Sequence, residues 1–485
     1  MRKETALKTN VLGTREVLFQ AVTHLGPALG LVFLPTLAAL VGGSIPFIVA
    51  VGLAASFLTA LCVVALAEHL PSAGGYYTYV SHGLGERFGL LASWAQFLYD
   101  PLGPAFIVLF TSAVLQGVFT VNIGWNIHWW VFALIFIAVL FISPYTGVKP
   151  SARFNLIVGV IEFVIALALG ISFIVHAGVS GQSLAPFKFP SHPAGYQPIF
   201  IAFALGGVLA FTGFEAAAPL AEETANPKQT IPRSVLISLL AVGVLWIITT
   251  YGTIVDYGAS KAAQLGTADP VMTLFVLAKG VWGVAWWIAV FALVNSALGA
   301  GLANVNGGTR VLYALGRTGV LPQAFGSVHP RFRTPSTAII AQTLLNLFII
   351  LGLGFWVGPT SGYVVAGLSI TLGVIVMYSL GNLSVIRLYL TRYRREFNPI
   401  RHTLVPLVAV ASYVAAFYYS VHPLPTWPVR LTVYVVIGWF ALGVFLAFYL
   451  WHAHSDSMIR AAAVFAGDIP EPKPAEPPPG ATPLS

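Results

Sequence analysis

About twelve runs of roughly 20 predominantly apolar residues, each long enough to cross a bilayer as a helix, dominate this chain. They fall near residues 17–40, 44–67, 89–118, 128–146, 153–177, 197–221, 233–256, 284–312, 336–356, 361–388, 403–421 and 429–452. The residues between them cannot solvate that much apolar surface. The chain is 57% hydrophobic and 8% charged, against about 25% charged in ordinary globular proteins. The apolar surface must therefore face lipid. Backbone in lipid has to satisfy its own hydrogen bonds, so the spans are predicted to be helices and the fold an all-α polytopic membrane protein.

The net charge of +8 raises the question of nucleic acid. The placement of the basic residues answers it: they stand between apolar runs rather than on a common face. With twelve spans and the N-terminus inside, the inner segments hold 20 of the 24 Lys and Arg residues, and the outer ones hold only Lys188, Lys261, Lys279 and Arg430. That asymmetry is what the positive-inside rule predicts, so both termini are expected in the cytoplasm of a cell-membrane protein. The first run follows Arg2, Lys3, Lys8 and Arg15 and leads straight into further spans, so it reads as a retained helix rather than a cleaved signal. Residues 1–16 form a cytoplasmic N-terminus, and residues 453–485 form a Pro-rich cytoplasmic tail with little to bury. The single cysteine, Cys62, rules out an intrachain disulfide and reads as a small buried hydrophobe.

Two spans carry interruptions. Span 1 contains His24-Leu25-Gly26-Pro27-Ala28-Leu29-Gly30, and span 6 contains Gly206-Gly207 and then Phe211-Thr212-Gly213-Phe214-Glu215. Broken backbone at membrane depth is tolerated where it lines a cavity. A five-span unit repeated once is necessarily inverted, and breaks at matching positions of two inverted halves point to a transporter's binding site. A half-helix N-terminus offers free N–H groups to an anion, while the opposing end offers carbonyls to an ammonium group. The alternative is that these glycines only let helices pack closely.

Three stretches resemble a known family. Ala67-Glu68-His69-Leu70-Pro71-Ser72-Ala73-Gly74-Gly75-Tyr76-Tyr77-Thr78-Tyr79 closes span 2. Phe211-Thr212-Gly213-Phe214-Glu215 is followed by Glu222-Glu223-Thr224-Ala225-Asn226-Pro227 and Ile231-Pro232-Arg233. Arg310-Val311-Leu312-Tyr313-Ala314-Leu315-Gly316-Arg317 precedes Gly319, Leu321-Pro322, His329-Pro330 and Thr334-Pro335. In this order they resemble permeases of the amino acid–polyamine–organocation (APC) superfamily. The resemblance implies a LeuT-like five-plus-five inverted repeat, spans 1–5 over residues 17–177 and spans 6–10 over 197–388, plus two further helices over 403–452. It also implies alternating access, with substrate held between the breaks. His24, Gly26, Pro27, Ala28, Leu29, Gly30, Phe211, Thr212, Gly213 and Phe214 are the expected binding residues. Relatives commonly read Gly-Ser-Gly where Ala28-Leu29-Gly30 stands here, so Leu29 brings bulk; a substrate carboxylate is expected on the amides near Leu29 to Leu31. Phe211 and Phe214 leave two readings open, an occluding lid or core packing.

Charged groups inside spans cost about 2.5–3.5 kcal/mol on insertion scales and need reasons to be there. Glu162 lies in the middle of span 5, where cationic amino acid permeases often carry a lysine that fills the space of a relative's sodium site. Three roles compete for it: a protonatable coupling group, a cation ligand and a structural partner. Glu215 follows the second break and reads as a structural partner of the unwound segment or a substrate contact. Asp100-Pro101 lies inside span 3, where Asp100 satisfies neighbouring groups or carries protons. Glu68, Glu222, Glu223 and Arg233 read as gate or loop ion pairs, and Trp286 and Trp287 as part of an interfacial aromatic belt.

The expected function is a secondary amino acid permease, proton-coupled, with sodium as the alternative ion and no cofactor. Exchange without an ion and polyamine or organocation transport are the other transport readings. No GxxxxGKS/T segment supports ATP-driven transport by this chain. No cluster of catalytic residue types suggests an enzyme, and no ring of pore charges suggests a channel. The partners expected are a small-molecule substrate and the bilayer; the sequence leaves the oligomeric state open.

Overall fold

The computed structural model describes residues 13–70, 75–147, 152–215, 224, 226–258, 261–262, 270–317 and 321–453. Residues 71–74 of the first signature, Lys149, Glu222, Glu223, Gly319 and the Pro-rich tail lie outside the described residues.

The elements are helices, with no strand among the described residues. Among the described residues nine are long and apolar enough to cross a membrane, and two more apolar helices, Tyr196–Leu209 and Leu431–Leu446, are shorter. The first of the nine, Val17–His69, has 53 residues, about 80 Å as a straight helix and far more than one bilayer needs. It is divided at Gly26 and again at Gly42, where φ 56 and ψ −133 end the helix. Spans 1 and 2 are therefore separate passes, which makes ten membrane-length segments and two shorter apolar helices among the described residues. This is the all-α polytopic membrane fold that the sequence predicts.

Span 1 comprises Thr14–Leu25 and Pro27–Phe33, extended by a 3-10 turn Leu34–Leu37 and Ala38–Val41. Span 2 is Ile45–His69, span 3 is Glu86–Phe97 continued by Tyr99–Ile123, and span 4 is Trp129–Thr146. Span 5 is Ala152–Gly181, with non-helical backbone at Gly178, beside the predicted end. Span 6 is Tyr196–Phe203 continued by Ala204–Leu209. Spans 7 to 12 are Pro227–Tyr257, Trp287–Arg317, Ser336–Val357, Pro359–Thr391, Val405–Val421 and Leu431–Ala453.

Two further helices, Gly75–Leu84 and Pro270–Trp282, join spans 2 to 3 and 7 to 8. The second of them changes the reading of Trp286. That side chain is not an interfacial anchor but is 3% exposed, packed against Phe275 with ring centres 5.9 Å apart. Trp287 remains 37% exposed.

Gly206 and Gly207 also do something other than break the helix. They lie in a wide π-helical stretch, Ala204–Leu209, that crosses span 2 at close range. A Cβ on Gly52 would overlap the Gly207 backbone, and Ser56 Oγ donates to the Gly207 carbonyl at 3.3 Å. The helix unwinds beyond the pair, over residues 210–213.

Candidate functional site

The two breaks meet in the interior. In span 1, Gly26 adopts φ 67 and ψ 70, a left-handed conformation that costs glycine little, and Pro27 starts the second half-helix where its missing N–H does no harm. In span 6, Thr212 N–H donates back to the carbonyls of Val208 and Leu209, each at 3.0 Å. Gly213 then turns the chain with φ 117. The His24 ring lies directly over Gly213, so that a Cβ there would overlap it.

A cavity of about 50 Å³ lies between the breaks. His24, Leu25, Leu29, Gly30 and Phe33 of span 1 line it, with Tyr99 and Phe106 of span 3, Thr212 of span 6 and Trp246 of span 7. That space holds a few water molecules or a solute of similar size. Tyr99 Oη lies 3.5 Å from His24 Nε2. Trp246 is fully buried, and its Nε1–H donates to the Pro27 carbonyl at 3.0 Å. A Cβ on Gly30 would overlap the Trp246 ring, so the indole seats only because residue 30 is glycine.

The backbone groups freed at the first break have definite partners. Ala28 N–H donates to Glu162 Oε1 at 3.0 Å, and Leu29 N–H donates to Ser296 Oγ at 3.1 Å. The second Glu162 oxygen accepts from Asn295 Nδ2, also at 3.0 Å. Glu162 is 3% exposed and joins span 5 to spans 1 and 8. At the second break the partner is local: Gly213 N–H donates to Glu215 Oε2 at 3.0 Å.

Of the expected binding residues, His24, Leu29, Gly30 and Thr212 line the cavity, while Gly26, Pro27, Ala28 and Gly213 shape the backbone around it. Phe211 and Phe214 do not line it. Both are fully buried, Phe211 edge-on to Trp246 at 5.1 Å and Phe214 against Tyr378 at 5.7 Å. The three acidic residues have different partners. Asp100 lies on the seam of spans 3 and 8: its Oδ1 would sit 3.1 Å from a Cβ on Gly307, and its carbonyl accepts from Gln342 Nε2 at 3.2 Å.

Residues 12–449 match the family model described as amino acid permease. The chain belongs to the amino acid permease family. The permease is thus a multi-pass membrane transporter and not an enzyme. Among curated proteins it is 29% identical over 365 residues to the low-affinity putrescine importer PlaP of Escherichia coli (strain K12), covering 74% of this chain and 76% of that one. It is 28% identical over 319 residues to the branched-chain amino acid permease BcaP of Bacillus subtilis (strain 168), covering 61% and 64%. It is 28% identical over 437 residues to the methylthioribose transporter of the same organism, covering 85% and 86%.

Sequence reasoning missed four residues that build this part of the permease: Tyr99, Trp246, Asn295 and Ser296. Asn295-Ser296 had a signal, since a polar pair in the middle of an apolar span needs partners. Trp246 had one too, as a tryptophan in mid-span rather than at an interface. At the predicted gate, Glu68 Oε1 lies 3.4 Å from Arg401 Nη2.

Proposed function

We propose that the permease is a secondary active transporter of a small amine-bearing solute, an amino acid or an amine, driven by the proton gradient. The observation that carries this reading is the meeting of two broken helices across a small interior cavity, with His24, Tyr99 and Thr212 as its polar side chains. The side chains and helix ends around the cavity supply recognition, and alternating access opens it to one side at a time. Two of the three relatives are named for substrates that bear amines, putrescine and branched-chain amino acids; the third is named for methylthioribose, which does not. Breaks in spans 1 and 6 accord with a five-plus-five inverted repeat, and the 20-to-4 distribution of basic residues accords with two cytoplasmic termini in a cell membrane.

Glu162 is the coupling group in this reading. Both of its oxygens accept hydrogen bonds. A proton on either oxygen would turn an acceptor into a donor and loosen the joint of spans 1, 5 and 8. The test is uptake of radiolabelled solutes by liposomes with an imposed pH gradient. Accumulation above equilibrium that collapses when the gradient is dissipated is the expected result. Uptake that ignores the gradient and requires internal substrate would replace proton symport by exchange.

A further inference from the structure

We infer that the substrate is a small protonated amine without a carboxylate. The inference rests on the reading that the cavity between the breaks is the substrate site.

The argument starts from the amides at the head of the half-helix Pro27–Phe33, the groups that would receive a carboxylate. Each is committed. Gly26 N–H donates to the Thr23 carbonyl at 3.2 Å, and Gly30 N–H to the Gly26 carbonyl at 3.0 Å. Pro27 has no N–H. Ala28 and Leu29 donate to Glu162 and Ser296. The chain thus supplies its own anion at the position a substrate carboxylate would need. A second carboxylate could enter only by displacing Glu162 or standing beside it, and while Glu162 is unprotonated the two like charges repel strongly because water is excluded.

The rest of the cavity suits a cation. None of its lining residues is Lys or Arg. The first halves of spans 1 and 6 end at it, and helix C-termini carry partial negative charge. Tyr99, Phe33, Phe106 and Trp246 contribute aromatic rings to the wall, and such rings attract a desolvated ammonium group. The small volume favours a short molecule.

The test uses the full-length permease in detergent and two matched pairs, isobutylamine with valine and putrescine with ornithine, titrated by calorimetry. The tightest of the four ligands should be an amine, with its parent amino acid weaker by about tenfold or more. A tightest ligand that is an amino acid, or a smaller margin, overturns the inference. Glu162→Gln keeps an acceptor for Ala28 and removes the charge, so the margin should narrow severalfold; an unchanged margin overturns the role given to Glu162. Ser296→Ala frees the Leu29 amide, should narrow the margin as well, and serves if Glu162→Gln does not fold. In liposomes, uptake of valine or ornithine without either amine sinks this inference and leaves the transporter reading intact. A folded permease that neither binds nor transports any of the four sinks both.

Discussion

The breaks of spans 1 and 6 are built on opposite plans. At span 1 the freed amides reach across to other helices, Ala28 to Glu162 on span 5 and Leu29 to Ser296 on span 8, while Trp246 of span 7 holds the Pro27 carbonyl. At span 6 the freed groups are satisfied within a few residues, Thr212 by Val208 and Leu209 and Gly213 by Glu215. The first break is a joint between four helices; the second satisfies its own amides and is tied outward through Glu215 to Tyr378 of span 10. Displacing span 5, 7 or 8 must disturb the first and can leave the second intact.

Substitutions can break or sharpen that distinction. The largest effect is expected from Gly30→Ala, whose Cβ would overlap the Trp246 ring. Overpacking on this scale costs about 3 kcal/mol or more, and a fall in melting temperature with loss of uptake would register it. Glu162→Ala comes next. It leaves the buried Ala28 N–H and Asn295 Nδ2 without their acceptor, at about 1–3 kcal/mol for each unsatisfied group. Faster amide exchange should appear in both spans 1 and 8, and exchange confined to span 1 would refute the joint.

Glu215→Ala removes the acceptor of one amide, Gly213, for about 1–2 kcal/mol. Faster exchange should stay within the span 6 turn. If it spreads to spans 5 and 8 as far as Glu162→Ala does, the two breaks are not different in kind. Ser296→Ala should have the smallest effect, about 1 kcal/mol. It removes a neutral acceptor from Leu29, and its melting temperature should lie between those of the wild type and Glu162→Ala.

The spans, and the end of span 5 beside Gly178, were legible in the sequence because lipid imposes a length and a composition on each crossing. The span 1 break was legible as well, since Gly26-Pro27 combines a residue free to take φ 67 with one that starts a helix. Gly206-Gly207 misled because close packing and unwinding use the same residue; here the pair serves a helix crossing, and the break lies beyond it. What holds the first break together was not legible. Its bonds join residues 134, 267 and 219 positions apart, and no local pattern encodes which helices will be neighbours. Glu162 was visible as a charge needing a reason. That its reason is an amide in span 1 depends on how the helices assemble.

The acceptor on Ala28 is a side chain and not backbone, which makes it heritable as one codon. The identity of residue 162 can change in a single step while the same twelve helices persist. A single substitution there would change the charge that meets the Ala28 amide without changing the sequence of either break.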